Sequence, residues 1–175
     1  DAPSRRPAGN AAAARATLEP FIARAQAEGK GVAVLVRTSN EKSAEFQAHG
    51  EPRLCERVAD VVHALGAELV GSSGYSSIGA VVGATHPEEL QRLRQRMPRA
   101  VLLLPGYGAQ GASASDAVAG FVTTPYGREG GVVNSSRAVT YPAAAKATKN
   151  IGEWRAAIEE AMDGAKAELR AACAA

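Results

Sequence analysis

Apolar residues fall along this chain in two alternating rhythms. Four short runs, Val32–Val36, Ile78–Val82, Val101–Leu104 and Val132-Val133, are dominated by branched aliphatic side chains. Between them lie longer stretches in which apolar residues recur every three or four positions. The first pattern predicts strands buried on both faces of a parallel sheet, and the second predicts amphipathic helices. One helix is expected from about Leu18 to Glu28, with Leu18, Phe21, Ile22 and Ala25 on one face and Gly29 as its stop. Another is expected over Leu54–Leu65. A third follows Thr85, which stands three residues before Glu88 in capping-box spacing, and buries Leu90, Leu93 and Met97. A short helix at Asp116–Phe121, capped by Ser113 or Ser115, and a last one from about Gly152 to Ala171, opened by Asn150, complete the set. Residues 41–50 and 123–131 read as polar connections. Residues 1–16, rich in Pro, Ala and Arg, read as a loose arm that ends in a helical start at Ala11–Ala16, ahead of an α/β unit over 17–175.

Strand alternating with helix is the rhythm of a parallel β/α protein, which places its chemistry at the carboxyl ends of its strands. Each run here does end in small and polar residues. They are Arg37-Thr38-Ser39-Asn40, Gly83-Ala84-Thr85, Pro105-Gly106-Tyr107-Gly108-Ala109-Gln110-Gly111 and Asn134-Ser135-Ser136-Arg137. Glycines at 106, 108 and 111 let backbone N–H groups approach an anion, and Gln110 adds a side-chain donor. Their spacing is not the G-x-G-x-x-G of dinucleotide sites. Arg137 can grip a phosphate through two parallel charge-assisted hydrogen bonds. Thr38 and Ser39 can donate to a ring carbonyl or amide, or cap the following turn. His49, His63 and His86 lack the Ser/Asp or Cys companions of a catalytic triad and read as structural. Glu88 and Glu89 read as compensation of a helix dipole.

Composition narrows the classes. With 46% hydrophobic and 22% charged residues, the 175-residue chain can bury a real core. A net charge of +2, with scattered Lys and Arg and few aromatics, argues against a nucleic-acid partner. No run reaches the roughly 20 apolar residues of a membrane span. Cys55 and Cys173 have neither C-x-x-C nor metal-ligand spacing, so no metal site is expected and a reducing, cytoplasmic setting is.

Taken in order, Leu18–Phe21, Gly31–Asn40, Gly74–Thr85, Pro105–Gly111 and Asn134–Arg137 resemble the C-terminal part of orotidine 5'-phosphate decarboxylase, in its longer-chain subgroup, over about residues 17–141. The resemblance implies a TIM-type (β/α) barrel of which this chain holds only strands five to eight. It also implies decarboxylation of orotidine monophosphate (OMP) to UMP without metal or organic cofactor, in pyrimidine biosynthesis. By resemblance, Arg137 binds the 5'-phosphate with Gln110 and the Gly108 and Gly111 backbone. Ser39 and Thr38 meet the pyrimidine, and Pro105, Gly106 and Tyr107 form the loop over the substrate. The family's Asp-x-Lys-x-x-Asp segment, whose lysine protonates the carbanion left by CO2, has no counterpart among the five lysines and four aspartates here. No catalytic residue is therefore assigned, and the chain alone is expected to be inactive.

A half-barrel leaves two sheet edges and an apolar face uncovered, so a homodimer or pairing with an N-terminal half is expected. Two other readings stay open. One is a non-catalytic half-barrel module that binds a phosphorylated metabolite or a partner chain. The other is a different phosphosugar enzyme of barrel type.

Overall fold

Each of the four apolar runs forms a strand of one parallel sheet in the computed structural model, which describes residues 8–174. In chain order the strands are β1 (Val32–Arg37), β2 (Ser76–Val82), β3 (Ala100–Pro105), β4 (Val122–Thr124), β5 (Gly127–Glu129) and β6 (Gly131–Asn134). The sheet order is β1-β2-β3-β6, while β4 and β5 pair separately as an antiparallel hairpin. The α-helices are α1 (Ala8–Ala27), α2 (Ala44–Gln47), α3 (Leu54–Gly66), α4 (Pro87–Arg96), α5 (Ala114–Val118), α6 (Arg137–Thr140) and α7 (Ile151–Ala174).

Several expected boundaries move. α1 begins ten residues before Leu18, because the alanine-rich stretch at 11–16 propagates helix well. Residues 1–7 of the expected arm lie outside the described residues. The connection at 41–50 contains a 3-10 turn (Glu41–Ser43) and α2, and that at 123–131 contains the β4–β5 hairpin. Thr85 does not cap α4. His86 holds that position, and the Thr85 hydroxyl donates to the Ser39 carbonyl at 3.1 Å. Ser113 does cap α5: its Oγ accepts from the Asp116 N–H at 3.1 Å, and the Asp116 carboxylate accepts from the Ser113 N–H at 2.9 Å. Asn150 opens α7 by accepting from the Glu153 N–H at 3.0 Å.

The sheet is not buried on both faces. Ile78, Ala80, Val82, Ala100, Leu102 and Leu104 point to one side and pack under Ile22 of α1, Cys55, Ala59 and Val62 of α3, and Leu90 and Leu93 of α4. Alternate residues point the other way. Leu35, Val81, Leu103 and Val132 stand in register across all four strands and form an apolar row on that opposite side. Leu35 is 55% and Val132 53% exposed at the two edges. Unbroken apolar runs arise where both faces of a parallel sheet are covered, and here helices cover one.

At the amino end of the sheet a buried arginine does the joining. Arg94 of α4 donates to the carbonyls of Ala100, Gly120 and Gly130 at 2.7 Å each, and to that of Met97 at 2.9 Å. Burial pulls its guanidinium down to about 10, so it remains charged at neutral pH. Four carbonyls from three separate segments thus converge on one planar donor set, an arrangement a lysine cannot match.

Candidate functional site

The loops that leave β1, β2, β3 and β6 meet around one open cavity of about 520 Å3. Ser39, Asn40 and Glu41 come from the first loop, Thr85 and His86 from the second, Gln110 from the third, and Arg137 from the start of α6 after the fourth strand. All four lie at the carboxyl ends of parallel strands, where β/α folds carry their chemistry.

Hydrogen bonds stitch neighbouring loops in sequence around the rim. The Gly83 N–H donates to the Arg37 carbonyl at 2.7 Å and Thr85 Oγ1 to the Ser39 carbonyl, joining the first loop to the second. The Ala84 N–H donates to the Pro105 carbonyl at 2.8 Å, joining the second to the third. Ser135 Oγ donates to the Tyr107 carbonyl at 3.2 Å, joining the third to the fourth. Two glycines permit this closeness. A Cβ on Gly83 would lie 2.6 Å from Ser39 Cα, and Gly106 has φ +118° with the Thr85 methyl 3.2 Å from where its Cβ would be.

Behind the first loop lies a polar cluster. Arg37, 1% exposed, donates from Nε to Glu89 Oε2 of α4 at 2.7 Å, and Arg53 donates to the other Glu89 oxygen at 3.1 Å. Glu89 is therefore the counter-ion of a buried arginine rather than a dipole-compensating surface residue. Burial by itself raises the Glu89 carboxyl. The hydrogen bond and charge of Arg37, with the charges of His86 and Arg53, outweigh that and leave it below the usual carboxylate range. Arg37 also donates to Ser43, and Ser43 to the Asn40 carbonyl, so the turn is held from within.

The predicted residues divide into four groups. Ser39, Gln110 and Arg137 share the cavity, and the Gln110 and Arg137 side chains have no hydrogen-bond or ion-pair partner among the described residues. Thr38 faces away: its N–H and hydroxyl both donate to Gln47 Oε1, at 2.9 and 3.2 Å. The Gly108 and Gly111 amides serve their own turn, donating to the Ala112 and Gly108 carbonyls at 3.0 and 2.9 Å. Gly108 borders a second cavity of about 440 Å3, next to Ser135 and Glu168. Pro105, Gly106 and Tyr107 carry the third loop toward the rim. The Tyr107 hydroxyl donates to Glu168 of α7 at 2.6 Å, and burial together with that carboxylate pushes the phenol up to about 12.

Sequence reasoning placed Asn40 and Thr85 in the strand-end bursts without giving them a ligand role, and missed Glu41 and His86 as cavity residues. The available signal was position: Thr85 and His86 follow β2 as directly as Arg137 follows β6. His86, read as structural, lines the cavity, and its Nε2 is buried without a hydrogen-bond partner among the described residues. Arg137 supplies a cation and Glu41 an opposing charge at the rim. Among the described residues no three His, Cys, Asp or Glu side chains are grouped to hold a metal. No helix among them is long and apolar enough to cross a membrane.

No family model matches the chain. Curated proteins do. It is 45% identical over 126 residues to the orotidine 5'-phosphate decarboxylase of Deinococcus radiodurans, a match covering 71% of this chain and 44% of that protein. To the orotidine 5'-phosphate decarboxylase of Rhodopirellula baltica it is 40% identical over 129 residues, covering 73% and 42%. The chain thus spans less than half the length of these relatives. Among solved structures, Leishmania donovani OMP decarboxylase aligns with a TM-score of 0.60 at 29% identity, covering 87% of this chain and 52% of that one. Leishmania donovani UMP synthase aligns at 0.58 and 33% identity, covering 80% and 28%. The resemblance carried by the strand-end motifs is therefore a homology to OMP decarboxylases over about 70% of the chain. The parallel α/β sheet is a fold it shares with these enzymes, a family of TIM-type barrels.

Proposed function

We propose that this chain supplies the phosphate- and pyrimidine-binding half of an orotidine 5'-phosphate decarboxylase. The observation that carries this reading is the meeting of Ser39, Gln110 and Arg137 on one cavity at the carboxyl ends of the sheet. Arg137 grips the 5'-phosphate through two parallel N–H donors, and the Gln110 amide adds a neutral one. The Ser39 hydroxyl meets the pyrimidine, with Thr38 behind it shaping the loop. Pro105, Gly106 and Tyr107 bring the third loop over the nucleotide, and Gly108 and Gly111 give that loop its turn.

Loss of CO2 from OMP leaves a carbanion on the pyrimidine that must gain a proton. Lys30 precedes β1 at the opposite end of the sheet, Lys42 sits in the 3-10 turn without lining the cavity, and Lys166 lies in α7. Lys146 and Lys149 lie in the segment between α6 and α7. None stands in an Asp-x-Lys-x-x-Asp arrangement. The proton donor therefore belongs to a further polypeptide segment carrying that motif, and the 175-residue chain alone is inactive. The apolar row Leu35–Val81–Leu103–Val132 and the edges of β1 and β6, unpaired among the described residues, support such a complement, a half-barrel completed by an N-terminal half or a second copy. The cytoplasm is the setting this reading gives it.

UMP titration of the chain and of an Arg137→Ala variant tests the site. Losing a two-pronged phosphate grip costs about 1.5–3 kcal/mol, or roughly ten- to a hundredfold in affinity. Equal affinities would refute it. The missing motif also favours a second reading, a non-catalytic module for a phosphorylated metabolite. Loss of OMP absorbance on adding a segment that carries Asp-x-Lys-x-x-Asp would decide for the enzyme, and UMP binding with no turnover for the module.

A further inference from the structure

Gln47, the last residue of α2, is not part of the lining of the strand-end cavity and belongs to neither hydrophobic cluster, yet three donors converge on its side-chain oxygen. Oε1 accepts from the Thr38 N–H at 2.9 Å, from the Thr38 hydroxyl at 3.2 Å and from Arg37 Nη1 at 3.3 Å. All three belong to the end of β1 and the residue after it, immediately before Ser39. On the far side of Ser39, its carbonyl accepts from Thr85, and the Asn40 carbonyl accepts from Ser43. The Thr38 amide has left the β ladder at this point, so Gln47 provides the acceptor that a partly buried backbone donor otherwise lacks. We propose that Gln47 is a positioning residue: it holds Thr38 so that Ser39 faces the cavity, and thereby sets recognition of a pyrimidine base without touching the nucleotide. This rests on reading the cavity as a nucleotide site.

The geometry separates Gln47 from the phosphate end. Gln110 and Arg137 reach the cavity from the loops after β3 and β6, and none of the Gln47 contacts touches either loop. Only acceptor capacity is used at Oε1, so a glutamate can replace the amide, whereas alanine leaves the Thr38 N–H without a partner.

The test measures UMP and ribose 5-phosphate affinities by calorimetry for the unsubstituted chain, Gln47→Ala and Gln47→Glu. Amide hydrogen exchange at Thr38 is followed without ligand. Gln47→Ala is expected to weaken UMP about tenfold and to speed Thr38 exchange by a similar factor, with ribose 5-phosphate changed less than about twofold. Gln47→Glu is expected to restore both readouts. Unchanged Thr38 exchange in Gln47→Ala overturns the positioning role. Equal losses of UMP and ribose 5-phosphate overturn its selectivity for the base. If the unsubstituted chain binds neither compound, the nucleotide reading itself fails and takes the base-recognition role with it, whatever Thr38 exchange shows.

Discussion

The Tyr107–Glu168 contact makes stability fall at alkaline pH by an amount the structure sets. Tyr107 is 7% exposed, its hydroxyl lies 2.6 Å from a carboxylate oxygen, and its phenol titrates near 12 instead of the ordinary 10. Folding thus favours the protonated phenol. The stabilisation is complete below pH 10, where both states hold the proton, and is lost as pH rises toward 12, because the unfolded chain ionises first. At pH 11 the unfolded phenol is mostly ionised and the folded one mostly not, which corresponds to about 1.4 kcal/mol; the full difference by pH 12 and above approaches about 2–3 kcal/mol. Tyr107→Phe keeps the ring buried and removes the proton. At neutral pH it should cost about 1–2 kcal/mol for the lost bond, since the exposed Glu168 regains water. Urea unfolding of both proteins at pH 8 and pH 11 isolates the effect, because Tyr75 and the other titrating groups are common to both. The gap between them should shrink by about 1.4 kcal/mol at the higher pH. Parallel pH profiles would show that Tyr107 does not hold its proton in the folded state.

Three further substitutions probe the frame around the cavity. Arg94→Met leaves three buried carbonyls and a partly buried one without their shared donor and should cost about 3–5 kcal/mol in urea unfolding, with Arg94→Lys recovering part of the loss. Glu89→Gln should flatten the acid limb of the stability profile. A carboxyl held below its unfolded range contributes stability above that range and loses it as pH falls through its folded value. The same variant weakens the pairing of buried Arg37 and should cost about 3 kcal/mol at neutral pH. Gly83→Ala drives a methyl group into the Ser39 backbone and should destabilise by about 1–3 kcal/mol while lowering UMP affinity, as read by thermal melts and calorimetry.

Strand positions were legible because the signal is local: the apolar runs are short, flanked by glycine, proline or polar residues and mostly rich in branched side chains, which together favour strand over helix. Ser39, Gln110 and Arg137 were legible for a related reason, since the carboxyl end of a strand is a place that can be counted along the chain. The short elements were not. α2, α6 and the two strands of the β4–β5 hairpin span only three or four residues each, too few for a period to show, and contacts with the rest of the fold stabilise them. Glu89 was misread because a carboxylate in the first turn of a helix looks the same whether it faces solvent or a buried arginine 52 positions away.

By itself, then, the order of apolar runs and polar bursts determined four strands, their helical partners and the residues that follow each strand, because those depend on neighbours a few positions apart. Only the tertiary structure decided that Ser39, Gln110 and Arg137 share a cavity, that Arg37 and Arg94 are buried among hydrogen-bond partners, and that one face of the sheet leaves both ends of its apolar row exposed. Each of these depends on groups distant in sequence meeting in space, where desolvation and hydrogen-bond geometry select the pairing.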